Sequence, residues 1–336
     1  MQAEPKKMDW KIFQGDGSQH DGLLHRLPDP PPWRFSRAAP SRELPRSLDI
    51  HKDALRAEPF LPSRPMILAV NAALYLRRPL LLTGKPGSGK STLIYKVAHE
   101  LKLGPVIRWP ISSRSTVRSG IYEYDAVGRL QAGKNTEPPV EQYLKLGPLG
   151  TALMAKTWPR PLLIDEIDKS DLDFANDLLN VIEEGEYEIP ELRRLGIRNP
   201  EVTDYFGNKV VVPEGRIQSG QFPFVVMTSN AEREFPPPFL RRCVRLRIDP
   251  PKGPDLEKII DSHLKHYAAV MSTSEIDGLR KAFETKQSEN QDVSTDQLLN
   301  AIFLTVAMRD SERSFDDQEI TELRETLLKQ LSGPGA

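Results

Sequence analysis

The chain has 336 residues, 38% of them hydrophobic and 28% charged, with 46 basic side chains set against 47 acidic ones. That length supports a sizeable core and two domains of about 100–200 residues each, while the balanced charge gives no overall field to draw the chain to nucleic acid or anionic lipid. A single cysteine, Cys243, excludes an intramolecular disulfide and a cysteine-based metal cluster, and no apolar run approaches the length of a membrane-spanning helix or a signal peptide. A cytoplasmic protein with no membrane and no nucleic-acid partner is expected.

Residues 1–59 are proline-rich, and "LPDPPPWRFSRAAPSRELPRS" follows a period of neither 2 nor 3.6. The segment therefore reads as largely extended, without a core of its own. It is either a solvated leader or a stiff strap on which Trp33 and Phe35 pin it to the folded body or to a partner.

From residue 60 to about 250 the pattern alternates. "RPMILAVNAALYLRR" has helical periodicity, "PLLLTG" is a short buried strand, "GKSTLIYKVAHELKL" a helix and "PVIRWP" a second strand. "PLLID" follows as a strand ending in carboxylates, then the amphipathic "SDLDFANDLLNVIEEG". "EYEIPE" and "KVVVPE" are β-rich pieces that can pair as a hairpin, and "FPFVVMTS" and "VRLRI" complete five apolar strands. Strands of this kind separated by helices predict an α/β fold, a three-layer α/β/α arrangement around a parallel sheet. Residues 251–336 change character: four helix-length segments, "PDLEKIIDSHLKHYAAVM", "TSEIDGLRKAFETKQ", "STDQLLNAIFLTVAM" and "DDQEITELRETLLKQL", predict a small all-α domain.

The chemistry gathers at the strand ends. "GKPGSGKS" fits G-x-x-x-x-G-K-[ST] and stands between a strand and a helix. Glycines Gly84, Gly87 and Gly89, with Lys85, Pro86, Ser88 and Thr92, form a loop whose backbone N–H groups can turn inward around the phosphates of ATP. Lys90 would reach the β- and γ-phosphates and the Ser91 hydroxyl would ligate Mg²⁺. In "LLIDEID", Asp165 ends a buried strand where a second Mg²⁺ contact is needed, and Glu166 can activate a water. Asp168 reads as a helix cap or surface charge. Asn230, at the tip of "FPFVVMTSN", holds that water if its strand lies beside the one carrying Asp165; the alternative is a turn residue. Three prolines after it predict an extended path that turns Arg241 and Arg242 outward, toward a neighbouring subunit's nucleotide or toward surface carboxylates.

Together these residues resemble the AAA+ ATPases, and within them the MoxR-like group. "GKPGSGKS" is similar to the family's Walker A, "LLIDEID" to its Walker B, "VVMTSN" to its sensor-1 strand and "PPPFLRRC" to its arginine-finger segment. "EGEYEIPE…NKVVVPEG" resembles the pre-sensor hairpin and "SGIYEYDAVGRLQ" the second-helix insertion. The resemblance spans about residues 60–331 and implies a ring, commonly a hexamer, that binds ATP between subunits and remodels a partner protein, by family analogy one with a von Willebrand A domain. The family's basic sensor-2 residue has no counterpart in "DVSTDQLLN", where Asp292 and Asp296 bring negative charge instead, with Arg309 or Arg313 as substitutes. Ser112 stands where many relatives carry a polar residue that restrains the catalytic glutamate. Tyr122, Tyr124 and Val127 form either a partner-contact surface or core packing. The expected function is Mg²⁺-dependent ATP hydrolysis; the rivals are a monomeric small-molecule kinase and a nucleotide-gated switch with slow hydrolysis in a signalling or defence assembly.

Overall fold

In the computed structural model the described residues are 10–35, 51–132, 138–196, 198–264, 273–289 and 293–310, with 318, 322, 326 and 327. They divide into two compact units. One comprises the described residues up to Glu58, Pro62–Thr83 and Ser91–Leu246; the other comprises Pro59–Leu61, Gly84–Lys90 and the described residues from Arg247 onward.

The first unit opens with α1 (Gly22–Arg26), α2 (His51–Ala57) and α3 (Arg64–Leu76), which lead into β1 (Leu80–Thr83). Beyond the glycine loop come α4 (Leu93–Glu100), β2 (Ile107–Pro110), α5 (Val117–Ile121), β3 (Tyr122–Tyr124), α6 (Ala126–Ala132), β4 (Leu144–Leu146) and α7 (Pro148–Leu153). Next are β5 (Pro161–Asp165), α8 (Leu172–Glu184), β6 (Glu186–Glu188), α9 (Pro190–Leu195), β7 (Glu201–Thr203), β8 (Lys209–Val211) and β9 (Arg216–Gln218). β10 (Phe224–Ser229), α10 (Pro237–Leu240) and β11 (Val244–Arg247) complete the sequence.

The five strands expected for the parallel sheet do form one sheet, in the order β11-β1-β10-β5-β2. β10 runs parallel to both β1 and β5, and β2 runs parallel to β5. Every residue of β5 and β10 is buried, as the continuous apolar runs of a sheet covered on both faces require. Helix α8 supplies part of that cover. Asp171 caps its first turn by accepting from Phe174 N at 2.6 Å, Gly185 ends it in the left-handed region, and Phe174, Ala175, Leu178, Leu179 and Ile182 fall on one buried stripe. Parallel strands place their polar ends along one edge, which in open α/β sheets is where ligands bind.

Two expectations about these elements need correction. "EYEIPE" and "KVVVPE" do not pair with each other: β6 pairs with β9, and β8 pairs with β7. The intervening residues include α9 and a tight turn in which Asp204 accepts from the N–H groups of Phe206 and Asn208; the turn pairs β8 with β7 just before it, and β6 pairs with the more distant β9. The prolines after Asn230 do not simply extend the chain, because Pro237 and Pro238 begin α10, where a fixed φ and a missing N–H cost nothing. In the insertion, Tyr122 is core, 2% exposed, its hydroxyl donating to Glu191 at 2.7 Å, whereas Val127 is exposed.

Residues 10–35 lie on the first unit with side chains of their own buried. Ile12, Phe13 and Leu23 are fully buried. Asn71 accepts from the N–H groups of Ile12 and Phe13 and donates to Phe13 O, while the buried Glu100 carboxylate accepts from the N–H groups of Gln14, Gly15 and Gly17. Phe35 does pin the strap, its ring 5.8 Å from that of Phe222, but Trp33 stays 73% exposed. Leader residues 36–50 lie outside the described residues.

In the second unit, α11 (Gly253–Leu264), α12 (Thr273–Ser288) and α13 (Thr295–Asp310) pack around Leu256, Ile260, Phe283, Leu298 and Ile302. Most of the fourth predicted helix lies outside the described residues. Among the described residues no helix is long and apolar enough to cross a membrane.

Candidate functional site

The loop from Gly84 to Lys90 is held in a shape that glycine permits. Gly84, Gly87 and Gly89 have φ of 153°, 70° and 81°, values side chains adopt only under strain. A Cβ at Gly84 would fall 2.2 Å from the Ile248 carbonyl oxygen, so backbone passes too close for any other residue. Ser88 Oγ donates across the loop to Lys85 O at 2.8 Å, and Lys90 Nζ donates to Gly84 O at 2.7 Å and Lys85 O at 2.8 Å. The ammonium is thus turned back into the loop, on carbonyls that an anion can replace with stronger charge-assisted bonds. This is a cradle of backbone and cation that fits a polyphosphate.

The loop also has acidic company. A Cβ on Gly87 would lie 2.4 Å from Ser294 Cβ and 2.6 Å from Asp296 Oδ1, so the start of α13 rests on the loop and carries a carboxylate there. Of the other lid residues named from the sequence, Asp292 and Arg313 and the side chain of Arg309 lie outside what the structure describes.

Ser91, the residue after Lys90, donates from Oγ to Asp165 Oδ1 at 2.7 Å. Thr228 Oγ1 donates to the same oxygen at 2.7 Å, and Arg108 Nη2 donates to Oδ2 at 2.8 Å. The register explains the convergence: Pro110 of β2 lies opposite Asp165, and Met227 lies opposite Ile164, which brings Thr228 alongside. Burial alone would raise the Asp165 pKa, but hydrogen bonds from Thr228, Ser91 and Arg108 outweigh it and hold the carboxyl below its usual range. The group is a stable anion. A hydroxyl and a carboxylate, both hard oxygen donors, with a guanidinium already standing as cation beside them, make a donor set that fits Mg²⁺ when phosphates complete the shell.

Glu166 follows in the left-handed region at φ 60°, its N–H donating to Thr228 Oγ1 at 2.9 Å. Ala231, just after Asn230, is also left-handed at φ 62°. Strain of this kind in non-glycine residues costs on the order of 1 kcal/mol each and gathers where side-chain direction matters. Glu166 Oε2 accepts from Lys169 at 2.6 Å, an exposed ion pair that is readily given up. Asn230 is at the end of β10, beside β5 as anticipated, but its Nδ2 lies 3.5 Å from Glu232 Oε1 and its N–H donates to Asp168 Oδ2 at 2.9 Å. Asp168 is therefore no surface charge: 4% exposed, it fixes the turn after β10 by accepting from Asn230 N and Glu232 N. Ser112 bonds Ser115 and Arg114 N.

The two arginines differ. Arg242 is tied to α8 of its own chain, with Nη1 donating to Asn180 Oδ1 at 2.8 Å and Nε 3.5 Å from Glu183 Oε2. Arg241 is exposed. Sequence reasoning missed Thr228 and Arg108. Their signals were the hydroxyls that end the apolar strand "FVVMTS" and a lone charge in "VIRWP".

Residues 79–243 match the AAA domain of the dynein-related subfamily. No curated protein matches. Among solved structures the chain is similar to Hsp104 of S. cerevisiae in its ADP complex, at 19% identity over 65% of this chain with a TM-score of 0.35. It is also similar to NtrX from Brucella abortus in complex with ATP, at 14% identity over 80% of this chain with a TM-score of 0.44. This chain spans 38% of the Hsp104 chain and 58% of the NtrX chain.

Proposed function

We propose, from the match of residues 79–243 to the AAA domain of the dynein-related subfamily, that this chain binds and hydrolyses ATP with Mg²⁺, as a MoxR-like ring that remodels a partner protein in the cytoplasm. The observation that carries this reading is the 2.7 Å bond from Ser91, next in the chain to Lys90, to Asp165 at the end of β5. It sets the serine that follows the loop lysine in sequence on the carboxylate that ends β5.

Lys90 and the N–H groups of Gly84–Thr92, including those of Lys85, Gly87, Ser88 and Gly89, grip phosphate; Pro86, with no N–H, shapes the loop. Ser91 and Asp165 hold the metal, which when bound neutralises phosphate charge as a Lewis acid. Glu166 leaves Lys169, accepts the proton of the attacking water and so needs to be ionised. Asn230 swings from Glu232 to orient that water. Arg241 of one subunit reaches the neighbour's γ-phosphate, its exposure favouring it over the tethered Arg242. The division into a leader to residue 59, a nucleotide-binding core from 60 to 250 and a helical lid from 251 belongs to the same proposal, as does a von Willebrand A domain in the partner.

Chains carrying Arg241→Ala are expected to be inactive alone, and to recover turnover when mixed with Lys90→Ala chains, because each supplies what the other lacks at a shared interface. Absence of recovery in mixed rings, where wild-type rings form, contradicts catalysis between subunits. One observation favours a second reading, a slow nucleotide-gated switch: Asp296 against Gly87 places negative charge on the phosphate loop. Single-turnover hydrolysis followed by slow release of ADP is the signature that separates it from a motor.

A further inference from the structure

Asp165 offers a metal fewer free lone pairs than a strand-end carboxylate ordinarily does. Its Oδ1 already accepts two hydroxyl donors, Ser91 and Thr228, each at 2.7 Å. Two donors fill the two lone-pair directions of that oxygen. Ser91 can keep its proton on Oδ1 while its own oxygen turns to a cation, so Oδ2 is the atom left to face the metal or a water on it. That atom is taken by Arg108 Nη2 at 2.8 Å.

The pair is unequal in burial: the Asp165 side chain is 10% exposed and that of Arg108 49%. A half-exposed guanidinium loses little hydration when it pairs and regains it when it leaves. Arg108 also rises from β2, an edge strand of the sheet, with no strand beyond it among the described residues. Two of the four residues of β2 face the core, Ile107 and Trp109, and Arg108 is on the opposite face. Its packing role is slight and its charge is placed on the one oxygen the metal needs.

We propose that Arg108 is a built-in competitor for the metal: it neutralises Asp165 when no cation is bound and raises the Mg²⁺ concentration at which the nucleotide site closes. The inference rests on the reading of Ser91 and Asp165 as the metal site. It makes Arg108 a positioning residue, acting on the metal through the carboxylate it occupies and touching neither phosphate nor water. It also moves the response to free Mg²⁺ to higher concentrations than an open carboxylate would give.

The test follows binding of N-methylanthraniloyl-ADP by fluorescence to the full chain, with Mg²⁺ titrated in, and repeats the titration by Mn²⁺ paramagnetic resonance. Arg108→Met keeps the length and removes the charge; the half-saturating Mg²⁺ concentration is expected to fall about fivefold, the scale of a partly exposed ion pair. Arg108→Lys, which keeps the charge, is expected to stay within about twofold of wild type on the same scale. Arg108→Met with an unchanged or higher Mg²⁺ requirement overturns the proposal, and so does Arg108→Lys behaving as Arg108→Met. Asp165→Asn separates the two levels of the argument. If it abolishes the Mg²⁺ effect while Arg108→Met leaves the requirement unmoved, only the role of Arg108 falls; if the Mg²⁺ effect survives Asp165→Asn, the metal site falls and this inference with it.

Discussion

Two buried carboxylates organise the first unit, and their donors are of different kinds. Glu100, fully buried at the end of α4, accepts from the backbone N–H groups of Gln14, Gly15 and Gly17. Asp165, at the end of β5, accepts from the side chains of Ser91, Thr228 and Arg108. Backbone donors cannot turn away without unfolding the strap they belong to. Side-chain donors can rotate, and a hydroxyl can offer its oxygen to a cation while keeping its hydrogen bond. The same chemical group is therefore a clasp in one place and an exchangeable site in the other.

The sharpest way to break this contrast is to neutralise each acid. Asp165→Asn is expected to cost turnover about 10³-fold, roughly 4 kcal/mol of transition-state stabilisation, measured as steady-state ATP hydrolysis. Its effect on unfolding in urea should stay near 1 kcal/mol, since an amide can still accept from Ser91 and Thr228. Glu100→Ala is expected to do the reverse, lowering unfolding free energy by about 3 kcal/mol because several N–H groups are left unpaired, with nucleotide affinity unchanged. Equal stability losses in the two variants would erase the distinction.

Cys243 extends the comparison to a buried group with no charged donor. Its thiol, bonded to Phe239 O at 3.5 Å, is pushed up to about 12 by burial from an ordinary value of 9.0. The folded value lies above the unfolded one, so the unfolded chain releases its proton first. The contribution to stability is whole below about pH 9 and fades as pH rises toward 12. Between pH 8 and 10 a loss of about 1 kcal/mol is expected, and Cys243→Ala should remove that slope from the pH dependence of the urea midpoint. The smallest expected effect belongs to Asp296. Asp296→Asn should tighten binding of ADP about two- to threefold, read by equilibrium fluorescence, as one screened negative charge leaves the phosphate loop.

What the sequence disclosed tracks how local the causes are. Strands β1, β5 and β10 were legible because each is a continuous, buried apolar run, and the glycine loop because its glycines, lysine and serine are nearly consecutive. Asp165 was legible because a carboxylate at the end of "PLLID" needs only its own strand for context. The strap was legible only in part: Phe35 could be named as an anchor, but Glu100 and Asn71 lie far along the chain from the residues 12–17 that they hold. Arg108 and Thr228 were missed because each acquires its meaning from a neighbouring strand, and strand order is set by the whole sheet. The β6 and β8 segments were wrongly paired with each other because pattern identifies strands without saying which of them pair. The contrast between Arg241 and Arg242 depended on Asn180 and Glu183 of α8, which no spacing in "PPPFLRRC" could reveal.

The central claim is that the end of β5 is an ATP-hydrolysing centre in which Glu166 activates water beside a metal held by Ser91 and Asp165. Measuring equilibrium ATP binding and steady-state hydrolysis on Glu166→Gln in Mg²⁺ tests it most directly. The account predicts affinity within a few-fold of wild type and turnover lower by about 10²–10⁴-fold; hydrolysis at close to the wild-type rate would contradict it.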